Sequence, residues 1–169
     1  MLIEKNTITT EYVKLYDWQT KKIAIPIFQR FYAWKEKEIV QLKEDLLKAI
    51  DFPSAQLYLL DFIYYKEDEL IKIADGQQRI VTLNNLIKAI KDVAKECAIE
   101  TDEIELFDIS YDIFANQKKY ETHFTNYATH PFKKVYLDFC AFVKENVSRI
   151  NDLIRVIKDN IFVYMKKWH

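Results

Sequence analysis

Glycine is nearly absent from this sequence of 169 residues, because Gly76 is the only one. An average protein of this length carries about a dozen. There are three prolines and two cysteines, so few residues mark the ends of helices and strands. Cys97 and Cys140 lie far apart without a CxxC spacing, and we therefore expect reduced thiols that form no metal pattern.

The chain also lacks a strong charge bias and a long apolar run. Its net charge of −1 gives no overall basic signal for nucleic acid, although a local basic face is not excluded. The first residues are too polar for a signal peptide, and no run approaches the ~20 apolar residues of a membrane span. We therefore predict a cytoplasmic protein without a membrane partner.

Half of the residues are hydrophobic, which is enough for a sizeable core. Strands are predicted at Lys21–Phe28, Leu57–Tyr65 and Leu70–Asp75, and helices at Lys35–Ile50 and from Asp75 onward. Two more helices are predicted at Pro131–Val147 and Ile150–Met165. The pattern predicts an α+β core over residues 1–100. A mainly helical extension over residues 101–169 would follow, ending before a further domain.

The lone glycine lies in the sequence Asp75-Gly76-Gln77-Gln78-Arg79, between a predicted strand and a predicted helix. Asp75 suits the N-cap position, and Gly76 allows a sharp turn that exposes backbone N–H groups. A helix N-terminus attracts anions, and Arg79 adds a forked donor suited to phosphate. Two interpretations remain open: a phosphate site, or a simple turn followed by a surface arginine.

A second stretch, "IPIFQRFYAW", sets polar groups among aromatic rings directly after a predicted strand. Gln29 and Arg30 could bind a ligand, and Tyr32 and Trp34 could stack on a base or brace a pocket. The alternative is that the aromatic rings belong to the core and that Arg30 is paired structurally.

The two stretches together resemble the N-terminal domain of GmrSD-type, modification-dependent restriction enzymes. That family carries a "QR-x-Y-x-W" segment, an intervening helix and hairpin, and then "DGQQR" at the start of a helix. Gln29, Arg30, Tyr32 and Trp34 match the first motif, and residues 75–79 match the second in full. The resemblance is close over residues 10–95 and implies a ParB/sulfiredoxin-like fold, with a small mixed sheet and packed helices.

The resemblance also implies a function. The domain would bind a nucleoside triphosphate with Mg²⁺, and in some relatives hydrolyse it, to regulate a C-terminal HNH-type nuclease domain that cuts modified DNA. Gly76 and Gln77 would donate to phosphate, and Gln78 would position water or ligand. Arg79 would clamp the phosphates, and Asp75 would orient a metal-bound water or cap the helix.

Arg30 and Gln29 would approach the same nucleotide pocket from the other strand. The sequence itself offers no protein metal centre, because His123 and His130 have no third ligand at a suitable spacing.

Two positions depart from the family pattern. Phe31 stands where proline is usual, and Asp61 stands where the first hairpin strand usually has glycine. An aspartate there would crowd the site and add negative charge near a phosphate. Two alternatives to a nucleotide-dependent regulator therefore remain: a DNA-binding ParB-like module without enzyme activity, and a diverged, inactive remnant.

Overall fold

The computed structural model describes residues 7–26, 35–111, 118–119 and 131–169. The strands in these ranges are β1 (Ile8–Lys14), β2 (Lys22–Ile25), β3 (Leu57–Glu67), β4 (Leu70–Asp75), β5 (Asp108–Tyr111), β6 (Lys118–Lys119) and β7 (Ile161–Trp168). The α-helices are α1 (Glu36–Asp51), α2 (Gln77–Glu96), α3 (Pro131–Glu145) and α4 (Ile150–Asp159). No helix among the described residues is long and apolar enough to cross a membrane.

The strands form one mixed sheet in the order β1-β7-β3-β4-β2-β5-β6. β3 and β4 make the predicted antiparallel hairpin, and β2 runs parallel to both β4 and β5. β7 runs parallel to β3 and antiparallel to β1. A mixed sheet with packed helices confirms the predicted α+β class.

Helix α1 forms where hydrophobic residues recur at three- and four-residue steps. Ile39, Leu42, Leu46 and Ile50 are all buried, as one apolar stripe of an amphipathic helix requires. At its start the Glu38 carboxylate accepts a hydrogen bond from the Lys35 N–H at 3.0 Å, which satisfies one free donor of the first turn.

Helix α2 is buried around most of its circumference, including its polar residues Thr82, Asn84 and Asn85. Asn84 clamps the backbone of Phe107, since its Oδ1 accepts from the Phe107 N–H at 2.9 Å and its Nδ2 donates to the Phe107 carbonyl at 3.2 Å. This pair fixes the segment that leads into β5 against α2.

The prediction of one helix over Ile150–Met165 is wrong, because α4 ends at Asp159 and the chain continues as β7. Asn160 lies at the end of α4, and its buried amide donates to the carbonyls of Pro53 and Ala55 at 2.9 and 2.6 Å. From there the buried residues alternate, and they are Ile161, Val163 and Met165. The C-terminal portion therefore supplies a strand inside the same sheet.

Candidate functional site

The strand–helix junction explains the lone glycine. Gly76 is the N-cap of α2, and its φ of +108° lies in the left-handed region that side chains disfavour. A Cβ at this position would also lie 2.4 Å from Cδ1 of Phe62, a fully buried ring of β3. Glycine is thus required both by the backbone conformation and by the close approach of an aromatic ring.

The prediction that Asp75 caps the helix is wrong. Asp75 is the last residue of β4, where it pairs with Ile63, and the N-cap of α2 is Gly76, which has no side chain to cap the helix. The Gly76 carbonyl accepts from the N–H groups of Arg79 and Ile80 at 3.1 and 3.3 Å. Asp75 is exposed beside this turn, which leaves its carboxylate accessible to solvent.

Gln77 and Gln78 form the first turn of α2, and each is only 7 % exposed. The Gln78 carbonyl accepts a hydrogen bond from Oγ1 of Thr82 at 2.7 Å. Burial on this scale shows that both side chains contribute to packing. The ligand contacts predicted for them remain predictions.

Arg79 is the third residue of α2 and is half-buried, not a surface residue. One end of its guanidinium, Nη2, donates to the backbone carbonyl of Asp61, and its centre lies 5.0 Å from the centroid of the Phe62 ring. Its Nε is buried and has no hydrogen-bond partner among the described residues. Desolvation lowers the pKa of Arg79, opposed mainly by the charge of Asp75, yet a guanidinium stays protonated at neutral pH.

The Asp61 carbonyl that accepts the hydrogen bond from Arg79 belongs to a β-bulge in β3, which we call the Tyr58–Asp61 bulge. Tyr58 pairs with Phe162 and Asp61 pairs with Tyr164, so β3 contains one extra residue between them. Within the bulge Leu60 has a φ of +60°.

Asp61 is the residue that departs from the family pattern, and the negative charge of its carboxylate is balanced within the fold. The carboxylate accepts hydrogen bonds from the ammonium of Lys166 at 2.5 Å and from the hydroxyl of Tyr58. The Lys166 hydrogen bond, and next the one from Tyr58, lowers the pKa of Asp61. The hydrogen bond to Asp61 in turn raises the pKa of Tyr58 to about 12. The expected excess of negative charge is therefore balanced by a lysine of β7.

This pairing predicts a pH-dependent difference between the wild-type protein and the Asp61→Asn variant. The folded-state pKa of Asp61 is depressed. The ionised carboxylate therefore stabilises the fold fully above the unfolded-state pKa of about 3.9, and this stabilisation is lost as the pH falls through the folded-state pKa. We expect the wild type to be more stable by under about 1 kcal/mol at pH 7, with the difference lost as the pH falls through the folded-state pKa of Asp61. Urea unfolding at several pH values measures it, and a pH-independent difference would refute the ion pair.

A cleft of about 450 Å³ lies between α1 and the Tyr58–Asp61 bulge. Of the DGQQR residues, Arg79 is the one that lines it. The other residues around the cleft are Lys37, Glu38, Gln41, Leu42, Asp45, Tyr58, Leu59 and Leu60.

The first motif and the central histidines cannot be placed against this cleft. Gln29, Arg30, Tyr32 and Trp34 lie outside the described residues, as do Phe31, His123 and His130. In the described ranges no three His, Cys, Asp or Glu residues are grouped as a metal site would require.

The family profile described as "GmrSD restriction endonuclease, N-terminal domain" matches residues 12–167. The chain belongs to this family. The resemblance found in two short motifs therefore extends through β7, well beyond residue 95. Membership gives this GmrSD N-terminal domain a role related to restriction. A comparison with curated proteins found no match.

Sequence reasoning missed the residues of this GmrSD N-terminal domain that line the cleft beside Arg79 or bind the Asp61 carboxylate. Tyr58, Leu59, Leu60 and Lys166 were not predicted to belong to a site. One local signal was present, because "YLLDF" interrupts the alternation of a strand with two adjacent leucines and an acid. Lys166 gave no such signal, since its pairing with Asp61 spans 105 residues of sequence.

Proposed function

We propose that this domain binds a nucleoside triphosphate and thereby regulates the nuclease of a restriction enzyme. The observation that carries the proposal is the Arg79 guanidinium at the edge of the cleft, with a buried Nε that has no partner among the described residues. An unpaired buried donor is costly, and the guanidinium that carries it lines the cleft, where its forked, charged donors suit phosphate oxygens.

The described residues fit a triphosphate in two respects. Arg79 supplies a forked cation, and Lys37 adds a second positive charge at the cleft. When bound, Mg²⁺ would offset the charge of the phosphates. The exposed Asp75 would be its protein ligand, since Mg²⁺ is commonly held by one or two carboxylates together with phosphate oxygens and water.

We propose binding, and not hydrolysis, as the core activity of this domain. A group that positions an attacking water must reach the phosphate, and the burial of Gln78 opposes that role. In this proposal the occupied and empty states differ in their action on an HNH-type nuclease domain of the full-length enzyme, which cuts modified DNA.

The test is nucleotide binding by an Arg79→Lys variant, which keeps the charge but loses the fork. Calorimetric titration with ATP, GTP and CTP plus Mg²⁺ should show that affinity falls at least about tenfold, the cost of one charge-assisted hydrogen bond. Because we propose binding without hydrolysis, phosphate release by the wild type and by the variant, measured in parallel, should stay at background.

The matched control is Arg155→Lys. Arg155 is also half-buried and also donates to a backbone carbonyl, that of Ile50 at 3.3 Å, but it lies on α4 and does not line the cleft. The Arg155→Lys variant should bind nucleotide as the wild type does. Absence of nucleotide binding in the wild type, with salt-sensitive DNA binding that does not need Arg79, would favour the DNA-binding alternative instead.

A further inference from the structure

The Tyr58–Asp61 bulge exposes an apolar side chain from a strained backbone. Leu60 has a left-handed φ of +60° and is 55 % exposed. A non-glycine residue in this region costs about 1–2 kcal/mol, and an exposed leucine recovers little of it by burial. Backbone strain that local packing does not offset clusters at sites where a fold binds a ligand.

That surface is one wall of the cleft beside α1. Leu59, Leu60 and the half-exposed ring of Tyr58 form this wall, and Leu42 of α1 contributes apolar surface opposite them. The volume of about 450 Å³ lies within the range of ~300–1,000 Å³ that is typical of small-molecule sites. The walls therefore suit a flat, largely apolar group of modest size.

Charged side chains line the cleft on both sides. Arg79 of α2 is a cation, whereas α1 contributes Lys37 and two acids, Glu38 and Asp45, and Asp45 accepts a hydrogen bond from the amide of Gln41 at 3.0 Å. A polyphosphate would be repelled by Asp45 and attracted by Arg79. The edge of a nucleobase, in contrast, carries N–H donors that carboxylate and amide oxygens can accept.

We propose that this cleft holds the base of the nucleotide whose phosphates are bound by Arg79. The proposal rests on the proposed function and gives the nucleotide an orientation. The base packs against Leu60 and Tyr58 with its edge towards Gln41 and Asp45, and the phosphates extend to Arg79. The Tyr58–Asp61 bulge then has two tasks, since it holds Arg79 through the Asp61 carbonyl and supplies the apolar surface for the base.

The test is a Leu60→Gly variant, which removes the apolar surface and also relieves the backbone strain. We expect about tenfold weaker binding of ATP, GTP or CTP by calorimetry, together with an unchanged or higher melting temperature. Leu60→Asn is the second variant, because asparagine tolerates a positive φ, and it should weaken binding to a similar extent.

Ala98→Gly is the matched control. Ala98 also has a left-handed φ, +52°, but it follows α2 at its far end and does not line the cleft. The Ala98→Gly variant should be more stable than the wild type and should bind nucleotide with wild-type affinity. Wild-type nucleotide binding that persists in both Leu60 variants would overturn the placement of the base while leaving the proposed function intact. An equal loss in Ala98→Gly would also overturn the placement, and a wild type that binds no nucleotide would overturn both proposals.

Discussion

Replacement of Gly76 by alanine is expected to destabilise the domain by about 2–6 kcal/mol. A side chain at a φ of +108° costs about 1–3 kcal/mol in backbone strain. Moving the buried Phe62 ring away from a Cβ that would lie 2.4 Å from it adds about 1–3 kcal/mol of overpacking. Urea unfolding followed by circular dichroism gives the free energy directly.

The two costs can be separated with a Gly76→Ala/Phe62→Leu double variant. Leucine removes the ring that the new methyl group meets, so the double variant should be less destabilised than the sum of the two single variants. The deficit of the double variant relative to the Phe62→Leu single variant measures the backbone strain. A Gly76→Ala variant that unfolds at the wild-type urea concentration but no longer binds nucleotide would show instead that the glycine serves the ligand.

Replacement of Asn84 by alanine should cost about 2–6 kcal/mol. Asn84 is fully buried and satisfies both the N–H and the carbonyl of Phe107. Alanine would leave these two backbone groups without partners in the core, at about 1–3 kcal/mol each. The loss should appear as a lower urea midpoint with an unchanged slope.

The exposed residue Asn151 offers a control for this prediction. Its Oδ1 accepts from the Asp102 N–H at 2.8 Å, so it makes the same type of bond at the surface. Water can replace this bond, and Asn151→Ala should cost less than about 1 kcal/mol. Equal effects of the two substitutions would mean that burial does not set the cost at Asn84.

The elements predicted correctly are those whose signal is local. The period of Ile39, Leu42, Leu46 and Ile50 identifies α1, and the charged turn between two β-rich runs identifies the hairpin of β3 and β4. The helix predicted over Ile150–Met165 failed because its apolar residues suit a helical face as far as Val156 and Ile157, and then alternate without a proline or glycine to mark the change. Tertiary hydrogen bonds of Asn160 end α4, and no window of sequence contains their acceptors.

The candidate site could be predicted only in part, because only some of its features have a local signal in the sequence. The sequence located a strand–turn–helix junction at Gly76, and the structure has it there. It did not show that Phe62 occupies the space beside the glycine, or that Arg79 is anchored to a bulged strand. Both contacts depend on how β3 lies against α2, which the order of residues alone does not specify.

The place of β7 in the sheet has a consequence for how the chain folds. β3 has β4 on one side and β7 on the other, and β1 is paired with β7 alone among the described strands. During synthesis the β3–β4 hairpin therefore emerges with one edge unpaired, and that edge is covered only when β7 follows, after the 85 residues between Asp75 and Ile161. Such non-local pairing slows folding and leaves an aggregation-prone edge exposed for longer. Lys166, which lies in β7 and pairs with Asp61, arrives at the same late stage, so the proposed nucleotide site would be completed together with the sheet.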